Sequence, residues 1–154
     1  MAAETHVRDL MTKDVATLRP EQTVPEAADL LAAGRYGSMP VVDGDGRLVG
    51  LLRDEDLIVS EARIHVPTYI NFLGATIPLH MHHFEEDLQK VAGAAVADVM
   101  DDDPATIGPD ATLEDVATLM HDRDVTHVPV IDDDRKVVGI VARADLVRDI
   151  ARTT

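Results

Sequence analysis

The chain has 154 residues, no cysteine and a formal net charge of −15. The missing cysteines exclude disulfides, thiolate catalysis and Cys-based zinc sites. The acidic balance argues against a nucleic-acid footprint and against docking on an anionic membrane, and it makes capture of a polyphosphate depend on local Arg or Lys groups.

Apolar residues are 45% of the chain and aromatic ones 3%, with no Trp, so the core must rest on Val, Leu, Ile, Ala and Met. No run approaches the roughly 18 apolar residues of a membrane span. Residues 1–10 carry charges of both signs and no apolar stretch, unlike a signal peptide. A cytoplasmic protein is the expectation.

In chain order, residues 7–11 read as a short amphipathic turn and 15–18 as a brief strand. A helix follows, because Thr23 and Glu26 have capping-box spacing and Leu30 and Leu31 sit on its apolar face. Met39-Pro-Val-Val-Asp43 reads as a short buried strand with Pro40 at its start, Asp43-Gly-Asp-Gly46 as a turn, and residues 47–52 as the returning strand. A second helix begins near Asp54.

The elements then repeat at an offset of 89 residues, that between Val7 and Val96. Pro20 falls on Pro109, Thr23 on Thr112, Pro40-Val41 on Pro129-Val130, Val49-Gly50 on Val138-Gly139, and Asp56-Leu57 on Asp145-Leu146. Roughly a third of the positions are identical over one gapless register, the mark of a duplication. Thr112 with Asp115 repeats the box in weaker form, and Leu119 and Met120 repeat the apolar face. The second hairpin turn, Asp132-Asp-Asp-Arg135, lacks glycine. Each copy is therefore a β-α-β-β-α unit, too small to bury enough surface alone.

Residues 59–95 have no repeat partner. Tyr69, Ile70, Phe72, Leu73, Ile77, Leu79 and Met81 make this insertion more apolar than a linker, so it is expected to pack over a cleft or on a partner subunit. Residues 84–91 have helical spacing. His80, His82, His83, Glu85 and Glu86 admit a metal reading or a solvated polar face, and their spacing matches no known ligand set. His65 reads as a core or interface histidine.

The order Asp-Leu-Met, Pro20, Met39-Pro-Val-Val-Asp43 and Val49-Gly-Leu-Leu-x-x-x-Asp-Leu57 resembles the signature of the CBS domain. The second copy matches it with Val128-Pro-Val-Ile-Asp132 and Val138-Gly-Ile-Val-x-x-x-Asp-Leu146. The resemblance implies an α/β (α+β) pair, residues 7–58 and 96–151, packed with pseudo-twofold symmetry around two clefts. It implies a homodimer and a ligand that is no catalyst: AMP, ADP, ATP or S-adenosylmethionine.

By position, the resemblance puts adenine contacts at Val15, Ala16, Gly37, Ser38, Met39 and Pro40 in one copy, and at Pro104, Ala105, Thr126, His127, Val128 and Pro129 in the other. The ribose falls to Asp56 or Asp145, and the phosphates to the helix start beside them. The family's Ser or Thr three residues before that Asp is replaced by Arg53 and Ala142. Arg53 and Arg143 fit a phosphate clamp or plain solvent-facing helix starts.

Two functions remain in view. One is a regulatory sensor that binds an adenine-containing small molecule and signals to a partner of unknown identity. The other is a structural interaction module whose clefts are vestigial and whose insertion is an assembly surface. No nucleophile–base set or phosphate loop supports an enzyme.

Overall fold

A computed structural model describes residues 4–58 and 94–153, and the backbone of two strands between them. The first copy contains α1 (Val7–Leu10), α2 (Val24–Gly34), β1 (Ser38–Val42), β2 (Leu48–Arg53) and α3, helical over 54–58. The insertion contributes β3 (Tyr69–Phe72) and β4 (Ala75–Pro78). The second copy contains α4 (Val96–Val99), α5 (Leu113–Arg123), β5 (His127–Ile131), β6 (Val137–Ala142) and α6 (Arg143–Thr153).

Each copy is built on one antiparallel hairpin, β1–β2 or β5–β6, and the two are alike down to an irregularity. The register shifts between Val41 and Val42 and again between Val130 and Ile131. The turns explain the repeated Asp. Asp43 Oδ1 accepts from the N–H groups of Asp45 and Arg47, at 2.9 and 3.0 Å, and Asp132 Oδ1 accepts from those of Asp134 and Lys136, both at 2.9 Å. Gly46 holds φ 83° and Arg135, its counterpart, φ 65°. A side chain in that left-handed region costs about 1–2 kcal/mol, so the second turn carries a strain that glycine spares the first.

The expected first strand is reduced to one residue per copy. Leu18 pairs in parallel with Val41, and Ile107 with Val130. Pro20 and Pro109 follow two residues later and have no N–H to extend the pairing. Pro40 and Pro129 lie in the middle of β1 and β5 rather than at their starts. Their carbonyls accept from Leu18 and Ile107, at 2.9 and 3.2 Å. The missing N–H lies on that same side of the strand, where the single bridge asks only for a carbonyl.

Helices α2 and α5 begin in reciprocal capping boxes. In α2 the Thr23–Glu26 pair closes at 3.3 Å both ways, and in α5 the Thr112–Asp115 pair at 3.0 and 3.1 Å. The box expected to be weaker is thus the tighter one. Leu31 and Met120 enter the cores, while Leu30, expected on the apolar face, is 42% exposed.

These boxes make a pH prediction. The Thr112 N–H, and then its hydroxyl, hold the Asp115 carboxyl below its ordinary value. The Arg47 and Asp45 N–H groups do the same for Asp43. A depressed folded pKa contributes stability that is present above the unfolded value and is lost as pH falls through the folded one. Denaturant midpoints should therefore drop as pH falls below the usual carboxylate range. Asp115→Asn should flatten part of that drop, and an unchanged acid limb in Asp115→Asn would refute the assignment.

The two cores are completed by exchange. Val7 of α1 is fully buried among Val116, Val128, Val130 and Val141 of the second copy. Val96 of α4 is fully buried among Leu18, Met39, Val41 and Leu52 of the first. The hydrogen bonds follow the same twofold. Val7 N–H donates to Ala111 O and Val96 N–H to Gln22 O, both at 2.8 Å, and Arg8 N–H donates to Pro109 O as Ala97 N–H does to Pro20 O. Arg8 also forms an ion pair with Asp110.

At the seam, Leu51 exchanges two backbone hydrogen bonds with Asp101, both 2.9 Å, and Ile140 does so with Thr12 at 2.9 and 3.1 Å. Gly50 and Gly139 allow this approach. A Cβ on either would sit 2.9 Å from the carbonyl oxygen of Asp101 or Thr12 and would strike the sulfur of Met100 or Met11.

Candidate functional site

A cavity of about 220 Å³ opens between the copies. The second copy supplies Pro104 and Ala105, just before its single-residue strand, and residues 124–127, where α5 ends and β5 begins. The first copy supplies Gly37, Leu51 and the junction of β2 with α3, Arg53, Asp54 and Glu55, and Asp101 closes the seam. Of the residues marked from sequence, Gly37, Arg53, Pro104, Ala105, Thr126 and His127 come together here. Leu51, Asp54, Glu55, Asp101, Asp124 and Val125 were not foreseen.

The others lie elsewhere. The side chains of Met39, Pro40, Val128 and Pro129 are buried in the cores, so any contact of theirs to a ligand runs through the backbone. Val15, Ala16, Ser38 and Arg143 are the counterparts, at the offset of 89, of Pro104, Ala105, His127 and Asp54. They therefore belong to the symmetry-related cleft. The backbone repeats the relation, since Asp54 N–H donates to Gly37 O at 3.0 Å and Arg143 N–H to Thr126 O at 2.8 Å.

Asp56 and Asp145 sit behind these walls and are already engaged. Asp56 accepts from the Arg53 N–H at 3.0 Å and from its Nε and Nη2 at 3.3 and 3.2 Å. Asp145 accepts from the Ala142 N–H at 2.8 Å and forms an ion pair with Arg148. Each carboxylate is thus half of a capping box, with the N–H three residues earlier as its donor. The residue in the family's hydroxyl position, Arg53 or Ala142, has no oxygen to return the bond. One carboxylate oxygen in each, Oδ1, accepts a single side-chain donor and keeps capacity for a diol.

Arg53 is correspondingly committed. Its guanidinium also pairs with Glu55 at 3.3 Å, and the hydrogen bond it donates to Asp56 holds it in the charged form. A phosphate would have to draw it away from two carboxylates. His127 is half-buried, with Nδ1 3.0 Å from the Thr126 hydroxyl. Burial pushes its imidazole below the usual value, against the opposing pull of Asp54 and Asp145.

Among the described residues no cluster of three or more His, Asp or Glu is placed to hold a metal ion, and no helix is long and apolar enough to cross a membrane. His65, the His80–Glu86 cluster and the helix expected over 84–91 lie outside the described residues.

The sequence model of the CBS domain matches residues 7–62 and 96–152. The chain belongs to the CBS-domain family. This CBS pair is similar to CBSX1, a chloroplastic CBS domain-containing protein of Arabidopsis thaliana, at 33% identity over 147 residues. That similarity covers 92% of the chain but 62% of CBSX1, so the chain spans less than two thirds of that relative. It is also similar to the crystal structure of CBSX2 in complex with AMP, at TM-score 0.76 and 26% identity over 97% of this chain and 98% of that one. A third likeness is to the CBS domain pair of protein MJ0100 in complex with 5′-methylthioadenosine and S-adenosyl-L-methionine, at TM-score 0.72 and 25% identity over 95% and 99% of the two chains. The mixed α/β CBS-pair architecture is common to this chain and the two solved structures.

Proposed function

We propose that this CBS pair is a regulatory sensor that takes an adenine nucleotide or related adenosyl ligand between its copies and signals its occupancy to a partner. The observation that carries the reading is the inter-copy cavity. Its walls include Pro104, Ala105, Thr126 and His127, the positions that the resemblance ties to adenine. AMP in CBSX2, and methylthioadenosine and S-adenosylmethionine in the MJ0100 pair, support the same ligand class. The cavity is below the ~300–1,000 Å³ of drug-sized sites, which suits a nucleoside-sized group better than a dinucleotide.

A homodimer forms part of the proposal. Ile58 on α3 and Val147 on α6 are equivalent by the repeat, and they are 68% and 59% exposed. A twofold-symmetric apolar surface of this kind suits an isologous contact.

The test is thermal unfolding of the full chain with AMP, ADP, ATP and S-adenosylmethionine, each at millimolar concentration. A ligand at 100 times its Kd stabilises by about 2.7 kcal/mol, or roughly 5–10 °C at this chain length. Thr126→Tyr fills the second cleft from an exposed position and should remove that cleft's share of the shift. No shift with any ligand would sink the sensor reading. The interaction module would then stand, and the engagement of Asp56 and Asp145 by Arg53 and Arg148 is the observation that favours it.

A further inference from the structure

The internal twofold gives the chain two equivalent sets of cleft positions, but the duplication did not preserve their charge. The second cleft is the cavity described above. Its lining carries the carboxylates of Asp54, Glu55, Asp101 and Asp124 against one lining guanidinium, that of Arg53, with the Arg143 charge also reaching His127. The Arg53 guanidinium is held by Glu55 and Asp56. Burial holds the His127 imidazole below its ordinary value.

At the offset of 89, the counterparts of those four acids are Arg143, Ala144, Thr12 and Arg35. The rim of the first cleft therefore bears two guanidinium groups and no carboxylate at these positions. The correspondence is structural as well as sequential. Arg35 and Asp124 are both left-handed helix caps, with φ 55° and 53°, and Asp54 and Arg143 donate equivalent backbone hydrogen bonds. Among the described residues neither Arg35 nor Arg143 has an ion-pair partner.

A second difference between the copies lies at Ser38. The Ser38 side chain is the first cleft's counterpart of the cleft-lining His127. Ser38 is 6% exposed, and its hydroxyl has no hydrogen-bond partner. Leaving a buried hydroxyl unpaired costs about 1–3 kcal/mol, a cost the half-buried His127 avoids through the Thr126 hydroxyl.

We propose that the two clefts take different members of the adenosyl series: the first a nucleotide bearing a phosphate, the second an adenosyl ligand whose 5′ substituent is neutral or cationic, such as a thioether or a sulfonium. This rests on the sensor reading and goes beyond it. A phosphate meets two guanidinium groups in the first cleft and four carboxylates in the second. A sulfonium meets the reverse. At the rim the sign of the local charge decides the preference.

The test is isothermal titration of the full chain with AMP and with S-adenosylmethionine, alone and each in the presence of the other. Two variants accompany it, Arg143→Glu for the first cleft and Asp54→Asn/Glu55→Gln for the second. All three positions are exposed, and unliganded melting checks that the fold is kept. The expected result is one site for each ligand without competition. Arg143→Glu should weaken AMP about tenfold or more and spare S-adenosylmethionine, and the double variant should do the opposite.

Competition between the ligands, or equal effects of both variants on both, would overturn the charge assignment and leave the sensor reading intact. Binding of neither ligand would instead overturn the sensor reading itself.

Discussion

Val7→Asp is expected to unfold the second copy, although Val7 lies in the sequence of the first. Its side chain is fully buried in the valine cluster of β5, β6 and α5. An unpaired carboxylate there costs several kcal/mol, a large part of the ~5–15 kcal/mol that holds a domain of this kind together. The midpoint should fall by more than about 10 °C, at roughly 2–4 °C per kcal/mol.

The gentler Val7→Ala, costing about 2 kcal/mol, locates the effect. Hydrogen exchange should accelerate first in β5, β6 and α5, with β1 and β2 following. Val96→Ala should reverse the order. Loss of protection in β1–β2 ahead of β5–β6 from Val7→Ala would refute the exchange.

Gly139→Ala is expected to have the second largest effect. The position is no turn; its backbone lies in β6, where a Cβ would press on the carbonyl of Thr12 and the sulfur of Met11. Met11 can swing aside, but the Thr12 carbonyl is held by the Ile140 N–H at 3.1 Å. Overpacking costs about 1–3 kcal/mol, and each backbone hydrogen bond loosened at the seam adds about 1 kcal/mol. Gly50→Ala should behave alike against Asp101. Chemical denaturation measures both. A loss below about 0.5 kcal/mol in either would show that the strand seam is looser than its geometry.

Much of this architecture can be read from the residues because both copies obey the same local rules. Thr23 and Thr112 announce helix starts, Asp43 and Asp132 announce turns, and the paired Val-Gly marks the seam. The exchange of α1 and α4 left no trace, since a buried valine looks the same whichever core receives it. The hairpin Tyr69–Phe72 with Ala75–Pro78 lay inside a stretch read only as apolar, although Ile70, Thr76 and Ile77 are β-branched and Gly74 stands between the strands.

In the cleft, the motif pointed to Thr126 and His127 but not to Asp54, Glu55, Asp101 or Asp124. These acids occupy helix caps and a seam residue, where a carboxylate needs no ligand to explain it. Only their opposition to Arg143, Ala144, Thr12 and Arg35 distinguishes them. That signal lies where the copies differ, whereas the search for a repeat rewards agreement.

The exchange also changes what the insertion is. The chain leaves the first copy at α3, and on its return Ala94 and Ala95 pair with Val24 and Thr23 of that same copy before the second copy begins. Both ends of the insertion are therefore fastened to one body, as a handle is to a cup. Lengthening a loop closed in this way costs only about 0.6 kcal/mol per doubling, and the second copy's own contacts to the first, through Val96 and Ala97, begin after its return.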